Sequence, residues 1–151
     1  MPRFRTRPAL LAGLTLVLAC SHDTTGADTK DIARHLQRWN AQGLTSYTFE
    51  FRRSSQVYYE PAVVEVRDGS VARVTSLLTG QPIPADWARQ YPTIDQEFDA
   101  ITAIARAGGD PEVSWDETLG YPTHLADRNV NIPDASWQDS IAAVRPVPPG
   151  S

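Results

Sequence analysis

The chain has 151 residues, a formal charge of −4 at pH 7, 41% hydrophobic residues and a single cysteine. That length suits one domain with a core of its own and is short for two. The negative charge argues against a nucleic-acid partner, and one thiol leaves no disulfide or thiolate zinc site, so the fold must stand on packing.

Arg3, Arg5 and Arg7 precede an apolar run from Ala9 to Ala19. A spanning helix needs ~20 apolar residues. This run is shorter, ends in small residues and is followed by Ser, His, Asp, Thr and Gly, so residues 1–19 read as a cleaved secretory signal. Cys20 comes directly after Leu14-Thr15-Leu16-Val17-Leu18-Ala19, an order that resembles the lipobox of bacterial lipoproteins. In those proteins the thiol is diacylated, the bond before it is cut and the new amino terminus is often acylated. Ordinary cleavage after Ala19, without lipid, is the alternative. The expectation is a cell-envelope protein whose membrane partner is reached through lipidated Cys20. Each buried methylene adds ~0.8 kcal/mol, and two or more chains anchor stably. Ser21 rather than Asp after the cysteine points to the outer membrane facing the periplasm in a Gram-negative cell, and to the plasma-membrane exterior otherwise. Loss of residues 1–19 removes three arginines and no acids, taking the charge from −4 to −7, which argues against a second electrostatic hold on anionic lipid.

From Cys20 to Asp28 the chain reads as a lipidated terminus and flexible tether, and residues 29–147 as the domain. A helix is expected from Asp28 or Thr29 to Gly43, burying Ile32, Leu36 and Trp39, with Gly43 as a left-handed C-cap. Tyr47 to Arg52 alternates as a strand with Tyr47, Phe49 and Phe51 inward. Ala62–Thr75 reads as a hairpin turning at Asp68-Gly69. A two-residue loop there would pair Val66 with Val71 and set Arg73 on the apolar face. A type I turn on Arg67-Asp68 with a Gly69 bulge groups Val64, Val66, Ala72 and Val74 instead, and is preferred.

Pro82 and Pro84 imply a surface crossing with one helical turn in Ala85–Gln90. Thr93-Ile94-Asp95-Gln96 matches a capping box opening a helix on Ile94, Phe98, Ile101 and Ala105, which Gly108-Gly109 ends. Strands follow at Val113–Trp115, Thr123–Asp127 and, after a polar loop through Asn131 and Pro133, Ser140–Arg145. Pro146 stops the last strand, and 148–151 read as a disordered tail. Short links between strands require antiparallel pairing. The expected fold is α+β: a single antiparallel sheet of five to six strands with two α-helices on one face, its halves readable as a worn α-β-β-β internal repeat.

Trp39, Tyr47, Val64-Glu65-Val66-Arg67-Asp68-Gly69, Thr93-Ile94-Asp95 with Phe98, and Gly120-Tyr121-Pro122-Thr123 followed by Asp127 and Asp134 carry a resemblance. Together they resemble the small exported bacterial proteins grouped as domain of unknown function 6174, over Ile32 to Val144. The resemblance implies an envelope or secreted location and no particular activity. Many proteins of that group carry Cys-x-Cys just after the first strand, where this chain has Ser55-Gln56-Val57.

His22, His35 and His124 show no ligand spacing and read as structural or solvated. There is no G-x-S-x-G elbow, Walker A or G-x-G-x-x-G sequence. Asp127-x-Asn129-x-Asn131, with Asp134 and Asp139 beyond, begins like a calcium loop. Ile132 stands where such a loop needs glycine and Gln138 where it needs glutamate, so a solvated hairpin loop is the plainer reading. Asp95, Glu97 and Asp99 read as helix-dipole acids, and Asp116 and Glu117 as turn acids. Trp87, Tyr91, Trp115, Tyr121 and Trp137 either line a groove or fill the core, with core the commoner outcome. No catalytic residue, metal or cofactor is assigned. The leading expectation is a non-catalytic envelope domain that binds another protein or a small ligand. The alternatives are a small hydrolase using carboxylates or His124, and a calcium-stabilised module.

Overall fold

Strict alternation builds the central strand. In the computed structural model, which describes residues 27–127 and 137–148, β1 (Tyr47–Ser54) buries Tyr47, Phe49 and Phe51 completely on one face. Before it comes α1 (Thr29–Asn40), capped by the Asp28 carboxylate, which accepts from the Lys30 amide. After it come β2 (Ala62–Arg67), β3 (Ser70–Ser76), the single turn α2 (Ala85–Ala88), α3 (Ile94–Arg106), β4 (Glu112–Trp115), β5 (Pro122–Asp127) and β6 (Trp137–Pro146). The six strands form one antiparallel sheet in the order β3-β2-β1-β6-β5-β4. This is the expected α+β architecture, with the third helix supplied by the Pro84-capped turn.

Both long helices cover the face that carries Tyr47. The Trp39 indole meets the Tyr47 ring edge-on at 5.2 Å and donates to Asp95 at the start of α3. The Ile94 amide, an orphan donor of the helix N-terminus, donates to the Tyr47 hydroxyl at 3.2 Å. Thr93 and Gln96 form the expected reciprocal capping box. On α1 the buried residues are Ile32, His35 and Trp39, with Leu36 only partly covered. The stripe therefore runs through i, i+3 and i+7, because His35 lies flat against Trp115 with ring centroids 4.4 Å apart.

The preferred hairpin geometry is corrected. Asp68 and Gly69 both have positive φ, +49° and +76°, and Arg67 pairs with Ser70 and Val66 with Val71, a two-residue turn. The bulge sits beyond the turn, where Ala72 is extra and Glu65 pairs with Arg73. It restores Val74 to the buried face opposite Val64 and leaves Ala72 exposed rather than in the core. The right-handed twist of the strands favours the tight turn, and the bulge then keeps Arg73 beside Glu65 on the open face.

The halves are not a tandem repeat. Superposing β1-β2-β3 on β4-β5-β6 keeps the order across the sheet but reverses every strand. A rotation that does this would carry the helix to the opposite face, whereas α1 and α3 touch each other on one face. β6 also begins earlier than expected, at Trp137, and bulges where Ala143 (φ +54°) and Val144 stand against Phe49. Its far end is tied down where the Val147 amide donates to the Ser46 carbonyl. Cys20, His22, Asn129, Asn131, Pro133, Asp134 and residues 149–151 lie outside the described residues.

Two glycines test this layout. At Gly69 (φ +76°) a side chain would meet open space, so Gly69→Val should cost only the backbone strain, roughly 1–3 kcal/mol. At Gly120 (φ +89°) a Cβ would lie 2.7 Å from the His35 carbonyl and 3.0 Å from the Trp39 amide. Gly120→Ala should cost roughly 2–5 kcal/mol, strain plus overpacking, in chemical denaturation, and so exceed Gly69→Ala.

Candidate functional site

The inward alternation of β1 does not stop at Phe51. It continues to Arg53, which faces Asp139 of β6 directly in the register. Nε and one terminal nitrogen of Arg53 donate to the two Asp139 oxygens at 2.6 and 2.5 Å, a bidentate pair. Glu97, one helical turn into α3, brings a carboxylate oxygen to 3.8 Å from the same guanidinium. Both acids are 1% exposed. The guanidinium also lies over the Tyr59, Trp137 and Phe51 rings at 4.9, 4.9 and 5.4 Å.

One positive charge therefore serves two buried carboxyls. Burial raises the Glu97 carboxyl to about 8, and the neighbouring Asp139 charge pushes the same way. Burial also raises Asp139, opposed by the bonds from Arg53, so Asp139 is the ionised member and Glu97 carries the proton. Oε2 of Glu97 is buried without a hydrogen-bond partner, which a neutral carboxyl tolerates better than a charged one. Burial tends to lower Arg53, but the Asp139 carboxylate outweighs it and holds the guanidinium charged.

Tyr59 links this cluster to the surface. Its ring is 5.9 Å from that of Tyr91, which in turn meets Phe51 at 5.8 Å. Tyr91 donates to the Glu60 carbonyl at 2.7 Å, and the Glu60 carboxylate accepts from the Ser76 hydroxyl. These bonds pin the Val57–Glu60 crossing against α2 and leave a groove of about 430 Å³ walled by Val57, Tyr58, Tyr59, Ile83, Trp87 and Tyr91. A second hollow of about 480 Å³ lies on the other flank of α2, under Arg73, Val74 and Gln96.

DUF6174, a family of unknown function, matches residues 31–145. The chain belongs to it. No curated protein and no solved structure matches the chain.

In this DUF6174 domain the acids once grouped as helix-dipole residues separate. Asp95 accepts from the Trp39 indole, while Glu97 is buried in the charge cluster, a correction to its plain reading. Asp139, counted as a possible loop ligand, is inward and clamped by Arg53. Asp127 lies half-buried at the end of β5, paired with Trp137. Among the described residues no group of three or more His, Cys, Asp or Glu could hold a metal ion. His124 pairs with Ser140, which sets it on the face opposite Asp139, although its charge still acts on that carboxyl. His35 is buried and burial lowers its pKa, keeping the ring neutral against Trp115. Of the five aromatics weighed as groove or core, Tyr91 and Tyr121 are core, Trp115 and Trp137 pack against it, and Trp87 is exposed.

Sequence reasoning missed Arg53 and Glu97, though parity carried both. Glu97 occupies the i+3 position of the Ile94, Phe98, Ile101 stripe, and Arg53 the next inward position after Phe51.

The raised Glu97 pKa fixes a pH dependence. The folded chain keeps this proton to about pH 8, whereas the unfolded chain loses it near 4.5. Its contribution is therefore fully present below the unfolded value and is lost as pH rises through the folded one. His35 acts with the opposite sign below the ordinary histidine value of 6.5, so the clean window lies above that. The melting temperature should fall from pH 6.5 to 8.5, measured by circular dichroism, with Glu97→Gln flattening that fall. Arg53→Met, which leaves Asp139 unpaired, should destabilise by roughly 3–5 kcal/mol in urea titration.

Proposed function

We propose that the protein is a lipid-anchored envelope lipoprotein whose domain works by binding rather than by catalysis. The anchor is Cys20, supported by the basic and apolar segment that leads directly into it. No described helix is long and apolar enough to cross a membrane, so a lipid would be the hold that this reading requires.

One observation carries the binding reading: the groove beside α2 is walled by apolar and aromatic side chains, two of which, Tyr58 and Trp87, stand 72% and 57% exposed. Aromatic side chains supply large contact area at low entropic cost, which suits a recognition surface. The clustered carboxyls, by contrast, are sealed under the helices and neutralised by Arg53. A hydrolase built on carboxylates or His124 has less support, since these groups lie on opposite faces of the sheet. A calcium-stabilised module has no described ligand set beyond Asp127.

Expressed with its own leader in a bacterial host, the protein should incorporate labelled fatty acid, and Cys20→Ser should abolish the labelling. Labelling that survives the substitution would sink the anchor. A photo-crosslinking residue at position 87 should capture an envelope component in cells, whereas one at position 50, on the open sheet face, should not. Equal capture at both positions would remove the groove as the binding surface.

A further inference from the structure

The large apolar side chains that stand exposed among the described residues are Val57, Tyr58, Leu78 and Trp87, at 59%, 72%, 67% and 57%. All of them gather at one end of the sheet. The register identifies that end as the one where β1 closes at Ser54, β2 opens at Ala62, β3 closes at Ser76 and β4 opens at Glu112. Val57 and Tyr58 lie in the crossing from β1 to β2, Leu78 just beyond β3, and Trp87 across the groove from Tyr58.

The chain leaves toward Cys20 from the same end. The Ala27 amide donates at 3.1 Å to the carbonyl of Pro111, the residue before β4. Residues 20 to 27 are joined by seven links, which span at most roughly 25 Å when extended. Four strand spacings, roughly 19 Å, separate β4 from β2 along this rim. A lipid on Cys20 would thus keep this rim within roughly 25 Å of the bilayer surface, with the exposed apolar side chains on the rim that the tether leaves from.

Charge does not drive the approach. From Cys20 onward the chain carries −7. The ionic groups beside the groove are already engaged, Asp86 with Arg89 at 3.0 Å and Glu60 with the Ser76 hydroxyl. Tryptophan and tyrosine, with apolar bodies and polar tips, are the side chains that settle at the headgroup boundary.

We infer that this rim docks on the lipid bilayer itself, with Val57, Tyr58, Leu78 and Trp87 entering the headgroup boundary beside the anchored terminus. The inference rests on the lipid anchor proposed above and names the partner of the same groove. Docking fixes the domain's orientation, with the open polar face of the sheet standing upright in the envelope.

The test uses the acylated protein purified from membranes and placed in vesicles of phosphatidylethanolamine and phosphatidylglycerol. The fluorescence difference between wild type and Trp87→Phe reports Trp87 alone among the four tryptophans. Lipids brominated near the headgroup should quench it. Aqueous iodide should quench it about threefold less than in the acylated Tyr58→Ser/Leu78→Ser variant, whose Trp87 is freed from the boundary. The shielding should be unchanged in vesicles of phosphatidylcholine alone, because no charge attraction is involved. Trp87 that iodide reaches equally in both proteins, with no quenching by brominated lipid, overturns docking and leaves the anchor standing. Shielding that tracks protein density at fixed lipid assigns the rim to a second copy and likewise overturns it. An unmodified Cys20 in the mass of the amino-terminal peptide removes the anchor, and the docking with it.

Discussion

Arg53 sits beneath the helical layer with two carboxyls and three aromatic rings around it, and that end of the sheet is organised to keep its charge satisfied away from water. Its partners come from β6 and α3, so one guanidinium joins strands from both halves of the chain and the helix above them. A buried charge is tolerated where it is paired and hydrogen-bonded; the bidentate grip on Asp139 supplies that, and a protonated Glu97 adds no second negative charge. Burial of Ile141 beside Phe51 already disfavours a slip of β6 against β1. A slip of one residue would turn Asp139 to the opposite face and strand Arg53, so the pair discriminates between registers. The Ala143 bulge beyond it then absorbs the local mismatch against Phe49.

The other end of the sheet relies on aromatic packing rather than charge. Tyr47, Trp39 and Tyr121 meet edge-on, and polar tips are consumed in helix positioning: the Tyr47 hydroxyl receives the Ile94 amide and the Trp39 indole reaches Asp95. Gly120 lies close under α1, where only a hydrogen fits against the His35 carbonyl. The first turn of α3 is thus indexed twice, by the Tyr47 hydroxyl and the capping box and by Glu97 against Arg53.

What the sequence revealed followed the range of each interaction. The Thr93–Gln96 box, the Tyr47-Phe49-Phe51 alternation and the Pro84-started turn are local, and each was legible as it stood. The hairpin was half-legible: Val64, Val66 and Val74 fell on the right face, but the bulge belonged at Ala72 rather than at Gly69, since turn twist and strand pairing compete over only a few residues. The charge cluster was hidden because Arg53, Glu97 and Asp139 are far apart in sequence and each alone looks like an ordinary surface residue. Tyr58 and Trp87 were equally opaque, because exposure of an aromatic depends on what the fold leaves uncovered.

The strand that fastens the two halves also decides where the chain leaves the domain. The chain enters the domain at Ala27, beside β4, but β6 delivers it to the opposite end, where Val147 is bonded to Ser46 just ahead of β1. A strand of this length spans roughly 30 Å. A fluorescent or affinity module fused after Val147 would therefore stand a full strand-length from Ala27, and tension between the two would be resisted by shearing whole ladders of hydrogen bonds rather than by peeling them one at a time.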